Sequence, residues 1–445
     1  MGTTNRAGRL MVRFEQHWRR VAWAVLDKSL PLAFGVGFML LVVRVLPPEE
    51  FGLQGIASTV LLTVSQLLRY LLLVPMTKYV AEGRVPESFA ATGMLLYVLA
   101  SAAMAALLAG GRDLWAVVFG KPALAAVLVP SASLLLVGSA RDAAISTLEG
   151  HRRLRTLFWA DCGYYAIALG TLALWRFAGA PRTAAAVQWV QASAAAAGSA
   201  LAVVMAHRLL AARPARPEAG QLLTFGRYSF GSGLGATIGQ QADGLLAGAL
   251  MDARGVASYQ VARLFFRIFN VLAQAIAQVL MPLVSRLHAG GRERDVRVLF
   301  EKSVCFLHLA LLPVLAVLFL LTPQLFALFF GDRYAASITP FRILLVSAAT
   351  LPFASVGSPF LIGLGRVRSL VWITWLGTAV GVGLAWIWIP RFGPSGAALG
   401  VLVAAVVGMV ARTWVLQRIL GFALADVAGR TRDAVAFARR RLRVS

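Results

Sequence analysis

GVASYQVARLFFRIFNVLAQAIAQVLMPLVSR, residues 255–286, decides how this chain is read. The stretch is long enough to cross a bilayer as one helix. Tyr259, Arg263, Arg267, Asn270, Gln274 and Gln278 recur at steps of three or four residues, so they share one helical face. The other faces carry Leu264, Phe265, Phe266, Ile268, Val271, Leu272, Ile276 and Val279, which suit lipid or packed neighbours. Arginine at membrane depth is costly unless it faces a partner or a watery cavity. The stretch therefore reads as a transmembrane helix whose polar face lines a cavity for something anionic.

Composition agrees. The 445 residues are 59% hydrophobic, with a mean hydropathy of +0.74. Soluble domains are usually less than half apolar, so an integral membrane protein is expected. The formal charge of +24 comes from 43 Lys and Arg against 19 Asp and Glu. These positives are scattered through loops and not gathered on one soluble face. Topology-setting arginines and contact with anionic lipid explain them better than nucleic acid does. Cys162 and Cys305 lie in or beside apolar runs, so neither a disulfide framework nor a metal-ligand spacing is present.

Twelve apolar spans follow a basic amphipathic tail. They cover 21–46, 52–80, 88–109, 122–147, 155–177, 183–210, 223–250, 255–286, 300–322, 337–363, 367–390 and 395–418. Pro130 interrupts the fourth, and Pro352 and Pro359 the tenth. No A-x-A-like site follows the first run, so a cleaved signal peptide is not expected. One set of alternate loops holds most of the arginine, including Arg152, Arg153, Arg155, Arg208, Arg292, Arg294, Arg297, Arg366 and Arg368. By the positive-inside rule both termini are cytoplasmic, which requires an even number of spans.

The chain also repeats itself. LEGHRRLRTLFW at 148–159 matches LIGLGRVRSLVW at 361–372, and LVPMTKYVAEG at 73–83 matches LMPLVSRLHAG at 280–290. The offsets are 213 and 207 residues (361 − 148 and 280 − 73). Each motif follows equal numbers of spans in its half, so the halves share one orientation. The expected fold is all-α, with about twelve transmembrane helices in two six-helix lobes related by an internal pseudo-two-fold repeat. Its plan is a cytoplasmic N-tail (1–20), an N-lobe (21–211), a cytoplasmic linker (212–222), a C-lobe (223–418) and a basic cytoplasmic C-tail (419–445).

RVLPPEEFGL at 44–53, DGLLAGALMDARGVASYQVA at 243–262, LMPLVSRL at 280–287 and IPRFGPSGAALG at 389–400 carry a resemblance. The chain resembles polysaccharide flippases of the O-antigen exporter type, in the superfamily that also holds multidrug and toxin extruders. The resemblance covers nearly the whole chain. It implies a two-lobed transporter of the bacterial inner membrane. The implied cargo is an oligosaccharide on a polyprenyl diphosphate, turned from the cytoplasmic to the outer leaflet for surface polysaccharide or lipopolysaccharide synthesis. Lipid II flippases are relatives that typically carry more spans. Drug extruders have the same span count, but their often cationic cargo suits a cationic pathway poorly.

The ionisable residues within spans are the candidate machinery. Arg69 lies mid-span with Gln66 on the same polar side, and joins Arg263, Arg267, Asn270 and Gln274 as candidate substrate-binding groups for a central cavity. Guanidinium groups bind phosphate through charge-assisted, often bidentate hydrogen bonds. The competing reading is structural arginines paired with carboxylates. Asp243 and Arg263 each lie 8 residues from the turn that joins their spans, so they share a depth and can pair. The alternative role for Asp243, with Gln240, is coupling to an H⁺ or Na⁺ gradient. Asp27, Lys28 and Arg44 are gate candidates at the ends of the first span. His308 reads as a packed histidine. No cofactor is expected, and no Walker A, zinc or serine-nucleophile pattern is present, so the chain reads as no enzyme. Two other functions stay open: an ion-coupled multidrug exporter, and a membrane subunit of an exopolysaccharide synthase working with a polymerase or glycosyltransferase.

Overall fold

The structure is a computed structural model. It describes residues 30–431 except 32–33, 84–85, 87 and 180. It does not describe the side chains of 232, 265, 267, 268, 270–272, 274, 275, 278 and 428. The expected N-tail helix and the end of the C-tail lie outside the described residues.

The protein is an all-α integral membrane protein. The chain divides into two compact units, 1–237 and 238–445. The first holds α1 (Phe34–Val45), α2 (Pro48–Leu68), a π-helical turn (Arg69–Leu73), α3 (Val74–Glu82) and α4 (Ser88–Gly110). It continues with α5 (Arg112–Val118), α6 (Leu124–Gly150), α7 (Leu154–Phe177) and α8 (Ala184–Leu210). α9 (Arg216–Leu250) begins in the first unit and ends in the second. The second unit continues with α10 (Ala253–Ala289), α11 (Glu293–Phe330), a 3₁₀ turn (Gly331–Ser337), α12 (Ile338–Ala348) and α13 (Leu351–Gly363). It closes with α14 (Val367–Phe392), α15 (Pro394–Leu420) and α16 (Leu424–Gly429).

Eight helices among the described residues are long and apolar enough to cross a membrane. The seventh and eighth spans form α9 and α10, helices of 35 and 37 residues that include side chains outside the described set. The tenth span is broken between α12 and α13, just before Pro352. The fourth is not: α6 runs unbroken through Pro130, where losing one N–H leaves the rest of the ladder intact. The linker is shorter than expected. Only 211–215 leave the helix, because Pro217 sits in the first turn of α9, where no N–H partner is needed.

The second span is distorted at a defined place. Pro75 has no N–H for the Leu71 carbonyl four residues back, and the helix widens to π geometry over Arg69–Leu73. That carbonyl meets α9 at a glycine: a Cβ on Gly226 would fall 2.1 Å from the Leu71 oxygen. Gly233, two turns further along α9, is as close to the Tyr70 ring. The second unit has its own close pair. Gly377 and Gly381 of α14 pack on Gly400 and Ala404 of α15, with a Cβ on Gly381 falling 2.9 Å from the Gly400 carbonyl. Lipid supplies no hydrophobic drive between helices, so such small-residue contacts carry much of the packing.

The repeat recurs in the geometry of each unit. A Cβ on Gly150 would meet Val80 at 2.8 Å, and one on Gly363, its counterpart, would meet Val284 at the same distance. The two repeated motifs thus pack against each other in both units. The turns after them also match. Arg153 donates its amide to Leu148 O at 3.0 Å, and Arg366 to Leu361 O at 2.7 Å. The residue before each is left-handed: Arg152 at φ 55 and Gly365 at φ 73. A third correspondence ties down the segment after each half. Thr92 donates to Glu218 at 2.7 Å and Ser88 to the same carboxylate, holding the start of α9 on α4. Arg297 donates to Asp426 at 2.7 Å, holding α16 on α11. The Ala423 amide, and then Arg297, keep the Asp426 carboxyl below the usual carboxylate range. This anchor is therefore present above the ordinary carboxylate pKa and weakens only as pH falls through the lowered value.

Arg152 adopts a conformation that its counterpart Gly365 adopts without a Cβ penalty. Arg152→Gly is expected to stabilise the purified protein by about 1 kcal/mol, and Gly365→Ala to destabilise it by a similar amount. Thermal unfolding in detergent checks both. A fall in melting temperature for Arg152→Gly would contradict the turn assignment.

Candidate functional site

Two polar clusters lie within the units. In the first, α6 carries the adjacent residues Arg141 and Asp142, which lie 3.7 Å apart as an ion pair and each reach a different neighbouring helix. Arg141 reaches α7, where it pairs with Asp161. Its guanidinium also sits over the Tyr164 ring at 4.0 Å. Asp161, Tyr164 and Tyr165 are three and four residues apart, so one face of α7 presents all three. Tyr165 in turn packs on Phe34 of α1 at 4.7 Å. Asp142 turns to α4, where Tyr97 donates to it at 3.4 Å. Two turns further along α6, Glu149 pairs with Arg69 of the π turn at 3.4 Å. The Arg69 side chain stays 46% exposed, against 15% for Arg141 and 8% for Asp161. The Arg141–Asp161 pair is thus enclosed, while Arg69 keeps most of its five donors open.

In the second unit, Asp243 of α9 meets two residues one turn apart on α10. Arg263 pairs with Asp243 at 3.1 Å, and Tyr259 donates to the other carboxylate oxygen at 2.5 Å. Arg263 also donates to the Gln240 carbonyl. Both charged side chains are largely buried. The long arginine reaches across because α9 and α10 are joined by a short turn in which Asp252 caps α10 by accepting from the Gly255 amide at 2.8 Å.

The sequence-derived candidates divide accordingly. Asp243, Gln240 and Arg263 meet. Arg69 reaches Glu149, and Gln66 is half-buried on the preceding turn of α2. Arg44 is exposed at the end of α1. Glu50 beside it is engaged within its own unit, accepting from the Ala184 amide at 2.7 Å. Arg267, Asn270 and Gln274 lie on α10 with side chains outside the described residues, as do Asp27 and Lys28 altogether. His308 packs against Phe353, its Nδ1 2.9 Å from the Val304 carbonyl. Among the described residues no three His, Cys, Asp or Glu side chains gather as a metal site.

Sequence reading missed Arg141, Asp142 and Glu149. The signal was present: an Arg–Asp dipeptide inside an apolar span is expensive without partners, and DCGYY at 161–165 offers them one span later. It also missed Arg412 of α15, half-buried against Gly408 and without an ion pair among the described residues.

The chain matches the family described as "Polysaccharide biosynthesis protein" over residues 41–339, more than half of its length. Its fold is similar to the inward-facing conformation of a multidrug resistance MATE family transporter of the MOP superfamily. That likeness has a TM-score of 0.74 at 17% identity, over 89% of this chain and 98% of that one. It is equally similar to the lipid II flippase MurJ in an inward closed conformation, with a TM-score of 0.74 at 11% identity, over 94% of this chain and 91% of that one. The uncharacterized membrane protein MJ1068 of Methanocaldococcus jannaschii is 24% identical over 200 residues, which is 45% of this chain and 39% of that protein. With the matched segment, the helical plan and the shared transporter fold in hand, the chain belongs to the polysaccharide biosynthesis protein family.

Proposed function

We propose that this protein turns a polyprenyl-diphosphate-linked oligosaccharide from the cytoplasmic to the outer leaflet of the bacterial inner membrane by alternating access. The family match over residues 41–339 carries the reading, because the fold alone is shared by exporters of different cargo. Charge chemistry supports it. A diphosphate presents several anionic oxygens, and the half-exposed Arg69 and the arginine face of α10 suit them. Glu149 holds Arg69 through one long contact, which a phosphate can outcompete. On this reading the arginine-rich loops and both termini face the cytoplasm.

We further propose that Asp243 couples transport to an H⁺ or Na⁺ gradient. Its carboxylate is shared between Arg263 and Tyr259, so a bound cation would have to displace or loosen the arginine. The structural and coupling roles separate experimentally. Arg263→Gln alone leaves a buried carboxylate without its counter-charge and is expected to cost about 3 kcal/mol. Adding Asp243→Asn should recover most of that loss in thermal unfolding. Coupling requires in addition that Asp243→Asn, still folded, transports without responding to the imposed gradient. An unchanged gradient response in this variant would remove Asp243 from coupling.

Deleting the gene tests the cargo directly. Lipid-linked oligosaccharide is expected to build up while surface polymer disappears, and its mass identifies the sugar. Loss of polymer without build-up would place the protein with a synthase, and no change in either would favour a drug or small-lipid exporter. In the complemented strain, Arg69→Ala and Arg267→Ala are expected to insert normally yet lower transport by about tenfold or more, the loss for one or two charge-assisted hydrogen bonds. Full transport by both variants would overturn the cationic path.

A further inference from the structure

The second unit contains a cavity of about 630 Å³ away from the Asp243–Arg263 pair. Its walls come from the end of α10, the first turns of α11, the turn between α13 and α14, and the end of α15. The charged lining is His288, Glu293, Arg294, Arg297 and Arg366. His288 lies 2.6 Å from Glu293, so the single carboxylate in the wall is already engaged. Arg297 is engaged as well, donating to Glu301 at 2.8 Å and to Asp426 at 2.7 Å. Arg294 and Arg366 make no ion pair among the described residues, and both side chains are exposed to the cavity mouth.

Three further facts give the site its chemistry. The cavity opens at the N-terminus of α11, a helix of 38 residues whose N-cap, Arg292, provides no side-chain hydrogen bond. The dipole there favours negative charge, part of which Glu293 and Asp295 of the first turn already supply. Leu364, Ile419 and Leu420 form an apolar side to the same cavity. Finally, a buried lattice fixes the frame: Glu301, 1% exposed, accepts from Arg297 and from Arg430 at 2.8 Å. Arg297 in the wall is thereby fixed, while Arg294 and Arg366 stay exposed.

We propose that this cavity is an anion site for a phosphate ester, held by Arg294 and Arg366, with its apolar side suited to the glycerol and upper acyl region of an acidic phospholipid. The site is separate from the Asp243–Arg263 pair and does not depend on the identity of the cargo. Two sources share the chemistry, a lipid headgroup and a soluble phosphate ester, and the test separates them.

The full chain, delipidated and placed in phosphatidylcholine nanodiscs, is titrated in one arm with phosphatidylglycerol and in the other with inorganic pyrophosphate. Thermal unfolding and native mass spectrometry read binding. Arg294→Gln/Arg366→Gln removes two charges from the cavity, and Arg391→Gln removes one charge at the end of α14 remote from it. The double variant is expected to bind about tenfold more weakly or worse, with the control unchanged. Arginine-dependent binding of phosphatidylglycerol alone assigns a lipid headgroup, and arginine-dependent binding of pyrophosphate assigns a soluble ester. Equal binding by wild type, double variant and control, or no binding in either arm, overturns the proposal.

Discussion

Inside a bilayer every backbone amide and carbonyl must find its partner within the protein, since no water is there to replace it. The rest of this architecture follows from that requirement. The chain is helical wherever it crosses, and each departure from regular helix sits where something else takes up the slack. Pro75 withholds a donor from Leu71, the helix relaxes into a π turn, and Gly226 lets a second helix close over the freed carbonyl. The same rule applies to side chains. Arg141 with Asp161 and Arg263 with Asp243 are buried as pairs, each supported by tyrosine. Arg69, on the π turn, is the least enclosed of these arginines.

The duplicated sequence is matched by duplicated contacts, and these are more specific than a shared helix count. Gly150 and Gly363 pack on the same partner motif, about one turn apart in register, and the turns after them close through the same amide-to-carbonyl bond. Glu218 and Asp426, 208 residues apart (426 − 218), anchor the segment that follows each half. The halves have diverged where the chemistry differs. A hydroxyl pair holds the carboxylate in the first unit, and an arginine holds it in the second.

The helical fold was legible in the sequence because span length and internal repetition are properties of a single line of text. The apolar runs fell on helices, and the break near Pro352 was visible. Pro130 misled because a proline announces a missing hydrogen bond without saying whether the helix bends; α6 absorbs it. The polar stretch 216–222 read as linker because its residues are hydrophilic, yet it is the start of α9, held down by Glu218. Asp243 and Arg263 were legible as a pair because equal distances from one turn give equal depth. Arg141 and Asp142 were not, since their partners sit on two different helices, 20 residues ahead in the chain and 45 behind. A stripe on one helix shows in sequence spacing, whereas a cluster shared among three requires knowing which helices are neighbours.

The pairing of α14 with α15 has a consequence for biogenesis. The two helices are separated by Gly393 alone, at φ 53, and meet through glycines and alanines along their length. Helices emerging one after the other from the insertion machinery normally wait in lipid for distant partners. This pair carries its packing surface in immediate succession, so it is suited to leave the machinery as a finished hairpin. The last quarter of the second unit would then enter the bilayer already assembled, as a wall against which the earlier, more polar helices α9 and α10 can settle.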